Sequence, residues 1–482
     1  MNSSSKKKYI TTPIYYANGE PHIGHLLTTT VADVLARHYR LLLGEENVFF
    51  TTGTDEHGTN VEQSAKKLGY ENLQDYVDMR SNYFKEKFGE TFISYDYFAR
   101  TTNKEHVKFV QDFWKKIQDA GDVYKGKYEG IYCNGCEKFL TKSELNEDGY
   151  CPLHRPDQIV RVEEENYFFR LSKYQDKVLK AIESGELKIY PEGKKNEVIA
   201  RIKEGLEDQS ISRPVEKVSW GVEFPGDSSQ TLYVWVDALL NYLSSLEINN
   251  KTEFWQGATH LMAKDISWFH NVIWPAMLMS AGYDLPKSTF VHSYVLIGGE
   301  KISKSKGNVI TIPDLINRYD IDATRYLLLS YLPYKDDADV TFKLLNEKYT
   351  ADLVNGLGNL VSRINKMGKE FNIKVKVPEY SEVIKEHDDL VEYYEEFKFH
   401  DVISLLSRLV REANEYLNQT EPWKKEGDEK EKILREAYDK VIKIAVLLKP
   451  ITIETSDEIC DILSGSIEKE SVLLFGRLPK GM

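Results

Sequence analysis

The chain reads as an α/β protein with a parallel β-sheet, a cysteine-bearing insertion, and an all-α bundle at its C-terminal end. Three observations predict this. Strand-like and helix-like stretches alternate over the first hundred residues, the pattern of crossover units whose sheet is covered on both faces. Three of the four cysteines, Cys133, Cys136 and Cys151, lie close together where that alternation lapses. From about residue 348 onward the apolar spacing is helical.

The elements follow in order. Residues 9–16 (YITTPIYY) are β-branched and aromatic, which predicts a strand. Asn18-Gly19-Glu20-Pro21 breaks it. From Gly24 the pattern turns helical, with Leu27, Val31, Val34, Leu35 and His38 on one face, and Gly44 stops it. Residues 48–52 (VFFTT) predict a second buried strand, followed by Asp55-Glu56-His57-Gly58 and a helix over 60–68. A further strand is predicted over 289–297 and a helical segment over 313–330. In the last part, Leu353, Leu357, Leu360, Val361 and Ile364 predict one helix. Val402, Leu405, Leu406, Leu409 and Val410 predict a second, and Val441, Ile444, Ala445 and Leu448 a third that Pro450 stops. Short links between such helices make an antiparallel bundle. The acidic stretch 379–396 reads as a solvated face.

Composition narrows the function classes. The 482 residues are 41% hydrophobic and 29% charged, which is ordinary for globular domains. The net charge of -13 argues against a non-specific nucleic-acid coat but leaves room for local basic patches. No apolar run approaches the ~18 residues of a membrane span. The first eight residues are Ser/Lys-rich without an apolar stretch, so a cytoplasmic protein is expected. Four cysteines do not make a disulfide framework. Cys460, far from the others, reads as a small buried apolar residue.

Two segments carry chemistry. His22-Ile23-Gly24-His25 sits at a strand-to-helix turn, where main-chain N–H groups and the helix dipole favour a phosphate. Gly24 admits a flat ring close to the backbone, and the imidazoles can donate to phosphate oxygens as charge develops. Taken alone, the pair also fits two satisfied turn histidines. The second segment, Lys301-Ile302-Ser303-Lys304-Ser305-Lys306, follows Gly298-Gly299 and forms a cationic, Ser-rich loop. By itself it also fits a solvated surface loop.

Together, and in this order, these segments resemble the HIGH and KMSKS sequences of class I aminoacyl-tRNA synthetases. TPIYYANG (12–19), TDEHGT (54–59), YVWVDALLNY (233–242), KDISWFH (264–270) and Trp274-Pro275-Ala276-Met277 narrow the resemblance to the methionyl-tRNA synthetase family, over essentially the whole chain. The resemblance implies a Rossmann-type catalytic domain and a two-step reaction. Methionine attacks the α-phosphate of ATP, and the methionyl group then passes from the adenylate to the terminal adenosine of tRNA. It implies His22, His25, Lys301 and Lys304 as catalytic residues and Asn18, His22, Gly24, His25 and Lys304 as ATP-binding. Mg²⁺ is implied with the nucleotide. Such chemistry asks for positioning and charge stabilisation rather than a covalent nucleophile.

The family match also implies a methionine pocket lined by Ile14, Tyr16, Trp235, Ala238, Leu239, Tyr242, Ile266 and His270. Asp55 would pair with the substrate ammonium, and Asp265 lies at the same strand-end region. Tyr16 and His270 are expected near the sulfur. An aromatic and aliphatic lining with few polar groups suits a thioether side chain. Many family members have proline where Leu239 stands. Read singly, Trp235, Tyr242 and Ile266 also fit core positions, and Trp220 is expected to be a packing residue.

Cys133-x2-Cys136 followed by Cys151-x2-His154 is Cys₃His spacing for one structural zinc. A knuckle that has lost its metal fits the same spacing. In the bundle, Asn359, Arg363 and Trp423 resemble the family's anticodon-reading residues, implying a tRNA with a CAU anticodon. Trp423 after a proline also fits a helix-start packing residue, and Arg363 a surface charge. The chain ends soon after Phe475-Gly476-Arg477, which leaves no room for the OB-fold by which some members dimerise, so a monomer is expected. The expected domains are catalytic over 1–117 and 233–294, the insertion over 118–232, the KMSKS-loop linker over 295–347 and the anticodon-binding bundle over 348–482. Synthetases for isoleucine, valine or leucine usually carry larger editing inserts than this chain holds. A catalytically silent tRNA-binding paralogue would not need both motifs intact.

Overall fold

The computed structural model describes residues 7–135, 138–140, 145–152, 156–301, 309–467, 469 and 471–479. They divide into two compact units. The first is Met1–Glu20, Phe49–Lys87 and Tyr95–Val291, and the second is Pro21–Val48, Phe88–Ser94 and His292–Met482.

The first unit is built on a six-stranded sheet in the order Tyr97–Arg100, Val48–Asp55, Lys8–Tyr16, Ala258–Ala263, Ser288–His292, Lys188–Tyr190. Tyr9–Thr11 run parallel to Ala258–His260, Thr51–Thr54 to Tyr97–Arg100, and Ser288–Phe290 to Lys188–Tyr190. Val48–Asp55 is buried at every position, as a strand covered on both faces must be. Gly53 is required there, since a Cβ would stand 2.1 Å from the Ala99 carbonyl oxygen. Strands are added in opposite directions on the two sides of Lys8–Tyr16. The order therefore reverses between it and Ala258–Ala263, and the crevice at their carboxyl ends is where such sheets bind ligands. Trp114, Trp274 and Phe113 fill the core beneath.

The insertion belongs to this unit. Its backbone is a long antiparallel pair, Val123–Cys133 against Ile159–Phe169, extended by Lys138–Leu140 on one edge and Gln209–Ser210 on the other. Trp220 packs as expected. Its Nε1 donates to the Glu56 carbonyl at 2.6 Å, and its own carbonyl accepts from Gly58 N at 2.9 Å.

The second unit holds the long helix Ile23–Leu43, buried along most of its length, and a set of C-terminal helices. The strand expected over 289–297 is two. Ser288–His292 ends the central sheet, and Val295–Ile297 pairs instead with Glu300–Lys301 and Ala338–Asp339, because the chain passes between units at 291–292. The helical segment expected over 313–330 breaks at Asp320, whose φ of 64° ends Ile312–Tyr319 and whose side chain caps Ile321–Ser330 by accepting from Ala323 N. The bundle comprises Asn359–Gly368, Phe399–Thr420, Gly427–Leu448 and Ile453–Ser464. Cys460 is buried, and burial raises its thiol to about 11. The acidic stretch is not merely a solvated face. Tyr380, Val383, Ile384, Leu390 and Tyr394 are buried, and the Tyr380 hydroxyl lies 2.8 Å from His38 Nδ1. Its charges had masked an amphipathic period. Among the described residues no helix is long and apolar enough to cross a membrane.

Candidate functional site

In the first unit, the residues expected to line the methionine pocket converge on the carboxyl ends of three neighbouring strands. Ile14 and Tyr16 close Lys8–Tyr16, Asp55 closes Val48–Asp55, and Asp265, Ile266 and His270 follow Ala258–Ala263. The Asp55 carbonyl accepts from Ala17 N at 2.9 Å, locking two of these ends together. The short helix Val234–Ala238 supplies Trp235 and Ala238, and Tyr242 sits on Asn241–Ile248. Tyr16 meets Trp235 edge-on with ring centroids 6.0 Å apart, and Trp235 stacks on Phe269 at 4.6 Å. Ala238, Leu239 and Tyr242 are buried, whereas Tyr16, Trp235 and Ile266 pack on the core with part of their surface open. Asp265 is exposed.

Behind this wall lie two buried, neutral imidazoles. Burial lowers the His270 imidazole to about 4. Its Nδ1 lies 3.0 Å from the Ile266 carbonyl, which can only accept, so Nδ1 carries the proton and Nε2 accepts from the Tyr242 hydroxyl at 2.7 Å. Both ring nitrogens are thus engaged within the wall. Tyr242 stacks on His260 at 4.2 Å, a second imidazole that burial keeps neutral.

Three residues beneath the wall were not singled out from sequence. Asp237, 1% exposed, accepts from His57 Nδ1 at 2.7 Å and from His106 Nε2 at 3.0 Å. Burial alone would raise its carboxyl, but the two histidines prevail and hold it at about 2. The sequence carries a signal for two of them. His57 belongs to the polar run closing a buried strand, and Asp237 is the one acid in an apolar five-residue helix. His106 has no such signal. Next to His57, Glu56 is fully buried and accepts from Thr54 Oγ1 at 2.9 Å, from Arg100 Nε at 2.7 Å and from Thr102.

In the second unit, His22 is the N-cap of Ile23–Leu43. Its Nδ1 accepts from Gly24 N at 3.1 Å, and His25 Nδ1 accepts from His22 N at 3.2 Å, closing a reciprocal cap. The rings stack 3.9 Å apart. A ring whose Nδ1 accepts from a backbone N–H carries its proton on Nε2. The helix start is tied to the segment beyond the lysine loop. Ile23 N donates to the Ile310 carbonyl at 3.1 Å, and His22 bridges Thr311. Lys304 and the Lys301 side chain lie outside the described residues, as do Cys136 and His154 of the knuckle. Cys133 and Cys151 are described. Both are buried and cluster with Leu140.

In the bundle, Asn359 and Arg363 lie one helical turn apart on Asn359–Gly368. The Arg363 guanidinium sits 5.3 Å from the centroid of the Trp423 ring and donates to Asn418 Oδ1 at 3.2 Å. Trp423 is 47% exposed and stands after Pro422 at the start of the one-turn helix Pro422–Lys424. Asn18 is exposed at the end of the first strand.

Comparison with known proteins places this geometry. A family model described as tRNA synthetases class I (M) matches residues 8–161 and 147–365. The methionine–tRNA ligase of Thermotoga maritima is 40% identical over 477 residues, covering 94% of this chain and 74% of that protein. That of Campylobacter jejuni is 42% identical over 433 residues, covering 86% and 68%. The structure of Mycobacterium tuberculosis methionyl-tRNA synthetase in complex with methionyl-adenylate superimposes with a TM-score of 0.85 at 31% identity, covering 99% of each chain.

Proposed function

The chain belongs to the class I methionine–tRNA ligases, and from that premise we propose how its own residues ligate methionine to tRNA through a methionyl-adenylate. Methionine attacks the α-phosphate of ATP, pyrophosphate leaves, and the methionyl carbonyl is then attacked by the terminal ribose hydroxyl of tRNA, releasing AMP.

The methionine side chain enters between Tyr16, Trp235 and Ile266, which with Ile14 are the partly open members of an apolar lining whose other residues are buried. Ile14, Ala238, Leu239 and Tyr242 complete the lining. His270, engaged on both nitrogens, shapes the floor rather than donating to the sulfur. Asp55 pairs with the ammonium and leaves the carboxylate to attack; Asp265 stands at the same strand-end region. The phosphates are held by the helix start of Ile23–Leu43. There the dipole favours anions, Gly24 lets the nucleotide approach, and the Nε2–H groups of His22 and His25 donate to oxygens that gain charge in the transition state. Asn18, Lys301 and Lys304 complete the nucleotide set, and magnesium enters with the triphosphate. The observation that carries this reading is the bridge from His22 to Thr311, a residue five positions beyond Lys306.

Zinc is assigned to Cys133, Cys136, Cys151 and His154. The two described thiols are buried and clustered in a segment with a small core, as a structural site requires, and bound zinc supplies a cross-link there. The exposed Trp423 with Arg363 on its face, and Asn359 on the same helix as Arg363, form a stacking platform for an unpaired base, read here as part of a CAU anticodon. A cytoplasmic monomer with the four domains expected from sequence, the catalytic one in two segments, completes the reading.

The test is pyrophosphate–ATP exchange across all the amino acids. Exchange should depend on methionine. Selectivity for another amino acid, or no exchange at all, would overturn the assignment.

A further inference from the structure

We propose that Asp237 is a positioning residue that sets the spacing between the ammonium end and the thioether end of the amino-acid pocket, and thereby selects methionine by length. His57, one of its two partners, stands two residues beyond Asp55 on the turn that closes Val48–Asp55. Asp237 itself stands between Trp235 and Ala238. One buried carboxylate therefore joins the strand end that receives the ammonium to the helix that walls the side chain, through the 2.7 Å bond from His57 Nδ1. The other partner, His106 on Lys104–Asp119, bonds Asp237 at 3.0 Å through Nε2 and meets Ser244 Oγ at 2.7 Å through Nδ1. Ser244 lies on the helix of Tyr242. Three pieces of the wall are thus referred to one anion.

The described backbone hydrogen bonds tie the entrance of the helix Val234–Ala238 to Ile211, Tyr233 N donating to its carbonyl at 2.9 Å, and not to the strand end of Asp55. Val234–Ala238 is a five-residue helix without a side-chain N-cap, too short to hold its place by its own hydrogen bonds. Apart from the carboxylate, the side-chain hydrogen bonds that hold it run from Trp114 Nε1 to the Val236 carbonyl at 3.3 Å and from Asn241 Nδ2 to the Ala238 carbonyl at 2.7 Å, and neither reaches the strand end of Asp55. A pocket distinguishes side chains one methylene apart by only about 10–200-fold, and only while its length is held. The inference rests on the roles given above to Asp55 and Trp235.

It is tested in the full chain by methionine-dependent exchange with Asp237→Asn, which keeps the size but not the second acceptor. The KM for methionine should rise about tenfold while the KM for ATP stays within about twofold. The kcat/KM preference for methionine over homocysteine and ethionine should fall about fivefold. His57→Ala should reproduce this, and His57→Asn, which keeps a donor near the place of Nδ1, should restore most of it. An unchanged methionine KM and preference, or equal rises for methionine and ATP, would overturn the proposal. Asp55→Asn is measured alongside. If it raises the methionine KM and Asp237→Asn does not, the coupling alone is wrong; if neither does, the pocket assignment falls as well. Should Asp237→Asn not fold, Ser244→Ala removes the outer bond to His106, together with the longer one to the Asn241 carbonyl at 3.3 Å, and leaves the carboxylate in place. A smaller loss of preference in the same direction supports the proposal, and an unchanged preference overturns it.

Discussion

The chemistry of single residues turns on which nitrogen carries a proton. At His22 and His25 the backbone N–H groups claim Nδ1, so capping the helix and presenting Nε2–H are one arrangement. The two roles are separable by substitution. His25→Asn keeps an acceptor for the His22 N–H and removes the outer donor. It should lower exchange by about 10²–10³-fold, the usual cost of one transition-state donor, with little change in methionine binding by calorimetry or in melting temperature. His25→Ala loses the cap as well and should melt lower. Asp237 predicts an acid response. Its carboxyl titrates at about 2 in the folded chain against 3.8 as the ordinary value, so its contribution to stability is complete above about pH 4 and is lost as the pH falls towards 2. Urea midpoints of the parent chain and Asp237→Asn should converge over that window.

At the scale of elements, the insertion and the bundle make separate predictions. If zinc cross-links the knuckle, metal analysis should find about one zinc per chain, and Cys133→Ala should abolish it. Loss of the metal should open the edge formed by Lys138–Leu140 on the long antiparallel pair, detectable as faster amide exchange there, while methionine-dependent exchange persists. In the bundle, Trp423→Ala removes the exposed ring on which Arg363 lies. Base–aromatic stacking contributes about 1–3 kcal/mol, so the KM for tRNA should rise about tenfold or more with pyrophosphate–ATP exchange untouched. Equal losses in both assays would mean that Trp423 supports the fold instead.

At the scale of the whole chain, a buried ion pair joins four distant segments of the second unit. Arg325 donates to Asp33 at 2.6 Å, and also to the carbonyls of Ile451, Pro450 and Thr91. Asp33 accepts further from Arg37 Nε at 2.8 Å and Ser94 N at 2.7 Å. Burial would raise the Asp33 carboxyl, but Arg325, Arg37 and Ser94 together keep it below its ordinary value. The helix of the histidines, the 88–94 segment, the helix Ile321–Ser330 and the 450–451 turn therefore share one charge centre. Arg325→Met would leave Asp33 buried with its main counter-charge gone, a change that costs about 3–5 kcal/mol, and the urea midpoint should fall accordingly. Adding Asp33→Asn should recover much of that loss, because replacing both charges removes the unpaired one.

The sequence by itself determined the alternation that builds the sheet, the two motifs proposed to hold the nucleotide, the knuckle spacing and the family, because these are carried by residues near one another in the chain or by a period of two or 3.6. The helix Ile23–Leu43 and the strand Val48–Asp55 stand almost where their patterns place them. Only the tertiary structure decided which distant groups share a proton or a charge. The bonds of Asp237 to His57 and His106, the pairing of Asp33 with Arg325 across 292 positions, and the tautomers of His22, His25 and His270 depend on partners the local pattern does not specify. The split of 289–297 and the buried face within the acidic stretch arose the same way. A hydrogen bond or an ion pair between remote residues leaves no periodicity in the chain; it exists only once packing has excluded water from both ends.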